Sequence, residues 1–267
     1  MDHRLLPDHL SVSAIQLYRR CPAQWKRRYL DDVMDEPSPA MAFGKCMALA
    51  LEAHHLGADG DVAFARAHAA SGNALPGVEY GLRLLELYRQ RFDLDGRPER
   101  AFTLYLPDRH RLPVPIVGVM DLERDHEVVE FKTSRNPWSQ ARADSEYQAA
   151  AYGWAFEQLH GRPPDRVRYL ILSTRTVGIE EILVVPSISS FHELVLAAEA
   201  VWDGIANGRF DGCGRCQLCR ASETETAYDW WPTPASPPAG AGLPLAPAGH
   251  RAYWSRPGWR TGHSRDG

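Results

Sequence analysis

GVMDLERDHEVVEFK, residues 118–132, is the stretch on which the reading of the chain turns. Two runs rich in branched apolar residues, Val117–Leu122 and Val128–Phe131, flank the polar group Arg124, Asp125, His126 and Glu127. That is the pattern of two short strands joined by a turn. A turn centred between Asp125 and His126 places Asp121 directly opposite Glu130, with Cβ atoms roughly 5 Å apart. Two carboxylates so placed repel, and a sequence selected only for stability avoids such a pair. A divalent cation between them turns the repulsion into a binding site, since Mg²⁺ favours carboxylate oxygens and keeps several waters. Lys132 lies two residues past Glu130 and points to the same face. From there its amine could orient or help deprotonate an attacking water, or steady charge building on a phosphate. Charged residues on a hairpin are otherwise just a solvated face, so the weight of the stretch comes from its surroundings.

The 267 residues are 44% hydrophobic and 24% charged, as in ordinary globular chains. No apolar run approaches the roughly 20 residues of a membrane span. MDHRLLPDHLS lacks the hydrophobic core of a signal peptide, so the cytoplasm is the expected compartment. The net charge of −4 argues against a polycation that coats duplex nucleic acid, and any such surface must be a local patch.

Residues 11–29 read as a helix capped by Ser11 or Ser13 and interrupted at Cys21-Pro22. Its second part, AQWKRRYL, mixes Lys26, Arg27 and Arg28 with Trp25 and Tyr29. Such a mixture can hold a phosphate backbone and stack on bases, or be a solvated face over buried aromatics. Helices are expected at 42–56, 61–70 and 78–92, making nearly the first hundred residues helical. A strand is expected at 101–106 ahead of the hairpin, and a loop over TSRNPWSQARADS. A helix follows at 146–159 with Gln148 and Tyr152 on one face, then strands at 166–172 and 180–185. A last helix runs from Ser187 or Ser189 to about Asn207, stopped by Gly208. Residues 1–231 are expected to form one domain. The Pro, Ala and Gly-rich segment 232–267 is expected to be disordered.

Three of the five cysteines crowd into CGRCQLCR, at Cys213, Cys216 and Cys219. Three thiolates at that spacing can reach one metal or iron–sulfur centre, and a fourth ligand must come from elsewhere. Cys21, followed by proline, is the candidate, leaving Cys46 over. A disulfide scaffold does not suit a chain of this size and expected compartment. An iron–sulfur cluster of the 4Fe–4S kind is expected, with zinc as the alternative, as a staple between the first helix and the end of the domain.

Taken together, SxSxIQLYRRCP, FGKxxxxxLE, GVMDL, VVEFKT, QxxxY and the C-terminal cysteine group resemble the RecB-type branch of the PD-(D/E)XK nucleases. The likeness is nearest to its iron–sulfur subset, which includes the CRISPR-adaptation exonuclease and the AddB nuclease domain, and it covers about residues 10–220. It implies an α/β, restriction-endonuclease-like fold: a mixed central sheet flanked by helices, with a helical N-terminal part. It also implies hydrolysis of DNA phosphodiesters with Mg²⁺ or Mn²⁺, often from single-stranded ends. By the same likeness Asp121 and Glu130 are metal ligands, joined by the carbonyl of Phe131, and Lys132 is the catalytic lysine. Gln148 and Tyr152 match residues thought to position DNA near the metal. Cys21, Cys213, Cys216 and Cys219 match the cluster ligands.

Two departures stand out. The family's histidine ligand in FGxxxHxxLE is Ala48 here, which cannot ligate. His55 lies about 10 Å further along the helix axis, so Glu52, one turn from Ala48, is the better substitute, or a partner standing behind the ligands. The cysteine spacing CxxCxxC is shorter than the family's usual one. Two readings follow: a metal-dependent exonuclease in recombination, repair or CRISPR adaptation, or a weakened or inactive DNA-end-binding subunit serving a helicase or integrase partner.

Overall fold

The structure is a computed structural model and describes residues 6–34, 36–72, 74–107 and 110–220. The expected boundary at residue 231 and the tail 232–267 lie outside the described residues. In chain order the elements are β1 (Leu10–Ser11), α1 (Val12–Arg20), α2 (Pro22–Tyr29), α3 (Pro39–His55), α4 (Gly60–Ser71) and α5 (Val78–Arg91). Then come β2 (Arg97–Leu104), β3 (Ile116–Glu123), β4 (Glu127–Ser134), α6 (Gln140–Asp144) and α7 (Tyr147–His160). The described part closes with β5 (Arg166–Ser173), β6 (Ile179–Val184) and α8 (Ile188–Ala206).

Local chemistry sets the boundaries. Ser11 caps α1 by accepting the Ala14 N–H at 3.1 Å, satisfying a donor that the first turn leaves free. Cys21 is extended, with φ −163°, and Pro22 restarts the helix at a position where its missing N–H costs nothing. The chain therefore bends at the cysteine. Pro39 likewise opens α3, capped by Ser38, which starts that helix three residues earlier than its apolar pattern suggests. Ser187 and Ser190 form a capping box at α8.

The six strands make one mixed sheet in the order β1-β3-β4-β5-β6, with β2 also paired to β3. β3 runs antiparallel to β2 and β4, and β4 runs parallel to β5. The parallel pair is joined by the crossover through α6 and α7, as parallel strands require. Alternation along β4 divides the interior into two cores. Val128 packs with α1, α7 and α8, whereas Val129 packs with α3, α4 and α5. Glu130 and Lys132 share the face of Val128, and Phe131 shares that of Val129. Two short elements were not expected: α6, inside the stretch read as a loop, and β1, only two residues long.

Candidate active site

The β3–β4 ladder pairs Glu123 with Val128 and Leu122 with Val129, the register expected from a turn at Asp125–His126. One step further the strands part. There the Asp121 carboxylate accepts the Phe131 N–H at 2.8 Å, so a side chain replaces a backbone acceptor. This split holds Asp121 against the backbone next to Glu130.

Glu130 is 3% exposed, and both its oxygens are engaged. Oε1 contacts the Lys132 ammonium and accepts from Gln148 Nε2 at 2.9 Å. Oε2 accepts from the Tyr152 hydroxyl at 2.6 Å. That hydroxyl also lies 2.9 Å from the Val119 carbonyl and receives the Gln148 amide at 3.2 Å. One helical turn separates Gln148 from Tyr152, so α7 offers both to the sheet together. The expected four-apart pair is therefore brought to the site, where it grips the metal-ligand candidate.

Electrostatics separates these groups from ordinary surface charges. Burial, then the neighbouring Glu130 charge, pushes the Asp121 carboxyl well above its usual range. Burial alone would lower Lys132, but Glu130 and Asp121 outweigh it and raise the amine above its ordinary value. The amine is therefore a cation at neutral pH. Burial and the same two carboxylates hold the Tyr152 proton on its oxygen. Two carboxyl groups thus share one ammonium: without a metal the burial and the Glu130 charge favour a proton on Asp121, and a divalent cation would take the place of that proton. Glu99 favours that proton too. The flanking pairs Pro98↔Leu122 and Arg100↔Met120 put Glu99 opposite Asp121, and its charge further raises Asp121. Glu99 has φ +52°, a left-handed conformation uncommon outside glycine. Nothing in the ordinary-looking RPER announces it.

The helix carrying the other candidates approaches from the opposite side of the sheet. A Cβ on Gly44 would come within 2.8 Å of the Thr133 hydroxyl, so glycine there lets α3 lie close against β4. Ala48 is exposed and Glu52 half-buried. Among the described residues, four cysteines form the one group of three or more His, Cys, Asp or Glu whose ligand atoms gather within 4.8 Å. Glu52, Asp121 and Glu130 do not form such a group. The Glu52 helix docks on the Phe131 face of β4, away from Glu130. His55 is anchored there too, stacked on Phe131 at 6.0 Å and receiving the Tyr88 hydroxyl at 2.9 Å. Burial, then His54, lowers its pKa to about 4.

On α2, Trp25 is buried and Lys26 pairs with Asp31 at 2.7 Å, which favours the packed-face reading of AQWKRRYL. Beside α7, a groove of about 410 Å³ is lined by Gln16, Arg19, Arg20, Ser145, Glu146 and Tyr147. Arg19 lies 5.3 Å from the centre of the Tyr147 ring. Glu146 connects the groove to the acids, since its charge also helps keep Lys132 protonated.

Cys21 and Cys219 are buried, Cys213 and Cys216 half-buried, and all four thiols converge. Cys21, at the bend between α1 and α2, is the fourth member that the spacing called for. The backbone N–H groups of Arg215 and Cys216 lower the Cys213 thiol to about 6, favouring the thiolate that a metal binds. The four could hold a metal ion. Cys46, inside α3, is buried and apart from them.

No curated protein matches the chain. Among solved structures, a protein of Eubacterium rectale provisionally described as an exonuclease superposes with a TM-score of 0.57 at 14% identity, covering 86% of this chain and 91% of its own. At that identity the likeness is one of fold. A second, SSO0001, gives a TM-score of 0.34 at 15% identity over 77% of this chain and 92% of its own, and carries no argument. The family model of the PD-(D/E)XK nuclease superfamily matches residues 9–224. That span holds the parted hairpin, the Gln148–Tyr152 grip and all four clustered cysteines, and the chain belongs to this superfamily.

Proposed function

We propose that the chain is a metal-dependent deoxyribonuclease of the RecB type that trims DNA from single-stranded ends, using Mg²⁺ or Mn²⁺. The observation that carries this reading is the convergence of Asp121, Glu130 and Lys132 where β3 and β4 part, two carboxyl groups sharing a single ammonium. Asp121, Glu130 and the Phe131 carbonyl are the groups that would hold the ion. A divalent cation there supplies Lewis-acid charge to the scissile phosphate and makes a water acidic enough to attack.

The remaining work falls to the chain's own side chains. Gln148 and Tyr152 fix the Glu130 carboxylate, so its orientation needs no adjustment during reaction. Lys132, held protonated, offers its ammonium to the charge that builds on the phosphate. Arg19, Arg20 and Tyr147 line a groove next to these groups, combining cationic and aromatic surface as single strands require. Testing uses end-labelled single- and double-stranded DNA with Mn²⁺. Cleavage of single strands from an end, abolished by Asp121→Ala and by Lys132→Ala, is the expected result. Cleavage that survives both changes overturns the reading.

One observation favours a second reading, a DNA-end-binding subunit without turnover. Ala48 is exposed where the resemblance places a histidine, and no third carboxylate or imidazole among the described residues, Glu99 included, forms with Asp121 and Glu130 a group whose ligand atoms all lie within 4.8 Å of one another. Tight DNA binding without cleavage at millimolar Mn²⁺, unrescued by Ala48→His, would select this reading. Cleavage by the unaltered chain excludes it.

A further inference from the structure

The resemblance to the iron–sulfur nucleases implies a 4Fe–4S cluster on Cys21, Cys213, Cys216 and Cys219. The sulfur positions do not fit one. Cys216 and Cys219 sulfurs lie 3.3 Å apart, Cys21 and Cys219 3.6 Å, Cys21 and Cys216 3.7 Å, and Cys213 and Cys219 3.9 Å. No pair exceeds 4.8 Å. A tetrahedral ion with metal–sulfur bonds of about 2.3 Å places its four sulfurs about 3.8 Å apart. In a four-iron cluster each thiolate caps a different iron, and a core of irons and sulfides stands between them. Sulfurs in mutual contact leave no space for that core.

The surrounding chain does not provide the space either. Cys21 is fully buried and Cys219 is 6% exposed. A Cβ on Gly212 would sit 3.0 Å from the Cys219 sulfur, so backbone already closes on that thiol. Gly214, at φ +66°, turns the Cys213–Cys216 loop so that the Cys216 N–H points at the Cys213 sulfur, 3.4 Å away. That is a tight loop around one centre. The CxxCxxC spacing by itself serves either centre, and the sulfur geometry decides between them.

We infer that these four cysteines hold a single zinc ion in a closed tetrahedral site, joining the α1–α2 bend to residues 213–219. With four thiolates and no open position, such a site is structural and redox-silent. It stands apart from the nuclease reading, because no acid of the active site belongs to it.

The test is elemental analysis, acid-labile sulfide and visible absorption on the full chain, purified anaerobically from cells supplied with both iron and zinc. One zinc per chain, no sulfide and no visible band are expected. Asp121→Asn and Cys46→Ser should keep the zinc, whereas Cys216→Ser should lose it. Exchange of zinc for cobalt should produce the visible bands of a tetrahedral cobalt thiolate, an outcome that needs no variant to fold. Iron and sulfide near four each with a brown absorption, a single iron without sulfide, or a metal-free chain would each overturn the assignment.

Discussion

Two buried glutamates three residues apart on β4 meet opposite fates. Glu127 is 4% exposed and Glu130 3%, on opposite faces of the sheet. Glu127 contacts Arg124, and takes Arg166 at 3.1 Å and Arg168 at 2.9 Å. Burial works against its charge, but Arg168 and Arg124 prevail and hold its carboxyl below the usual value. Glu130 shares its surroundings with a second acid, Asp121, and a single ammonium. One buried carboxylate has been matched with cations from the chain itself, and the other has been left short. The difference separates a carboxylate matched by the chain's own cations from one left short of them, a charge arrangement that active sites tolerate and stability alone would remove.

Four changes sharpen or break this contrast. The largest effect is expected from Asp121→Asn, which keeps an acceptor for the Phe131 N–H but cannot ionise to bind a cation. Turnover should fall by about 100-fold or more, while the metal-free chain melts no lower than the unaltered one. A lower melting point would mean that Asp121 serves the fold, as Glu127 does. Glu127→Gln should do the reverse. Leaving three guanidiniums beside a neutral side chain should cost about 3 kcal/mol in denaturant titrations, with turnover of the folded fraction nearly unchanged. Tyr152→Phe removes the donor to Glu130 and should cost about 1–2 kcal/mol, together with a several-fold loss of Mn²⁺ affinity.

The smallest effect is one of pH. Asp121 keeps its proton in the native chain where the unfolded chain has released it, so metal-free stability should fall as pH rises above the ordinary carboxylate value of 3.8. Glu127 contributes with the opposite sign. Its stabilisation is present above the ordinary value of 4.5 and is lost as pH falls through its lowered native value. Denaturation midpoints measured across pH on the two variants should separate the terms. Asp121→Asn should remove the loss seen as pH rises and Glu127→Gln the loss seen as pH falls.

The sequence reached the centre of the site because strand alternation and turn position are local. Asp121, Glu130 and Lys132 follow from where the hairpin turns, and the observed pairing of Leu122 with Val129 keeps that register. Cys21 joined the other cysteines because three thiolates need a fourth ligand and Pro22 marks a helix break at that thiol. What stayed hidden depends on docking. Periodicity put Gln148 and Tyr152 on one face of a helix but could not say that this face grips Glu130. Nor could it say that α3 lies across the sheet, which takes Glu52 away from the acids. Glu99 was invisible because its importance comes from strand pairing and a left-handed backbone, neither of which its neighbours in sequence encode.

The central claim, that the Asp121 and Glu130 carboxyl groups are gathered at the parted strands to hold a divalent cation, is tested most directly by calorimetric titration of Mn²⁺ into the full chain and into Asp121→Asn without DNA. Binding by the unaltered chain that is lost in the variant is the predicted result. Equal binding by both, or none by the unaltered chain, would contradict it.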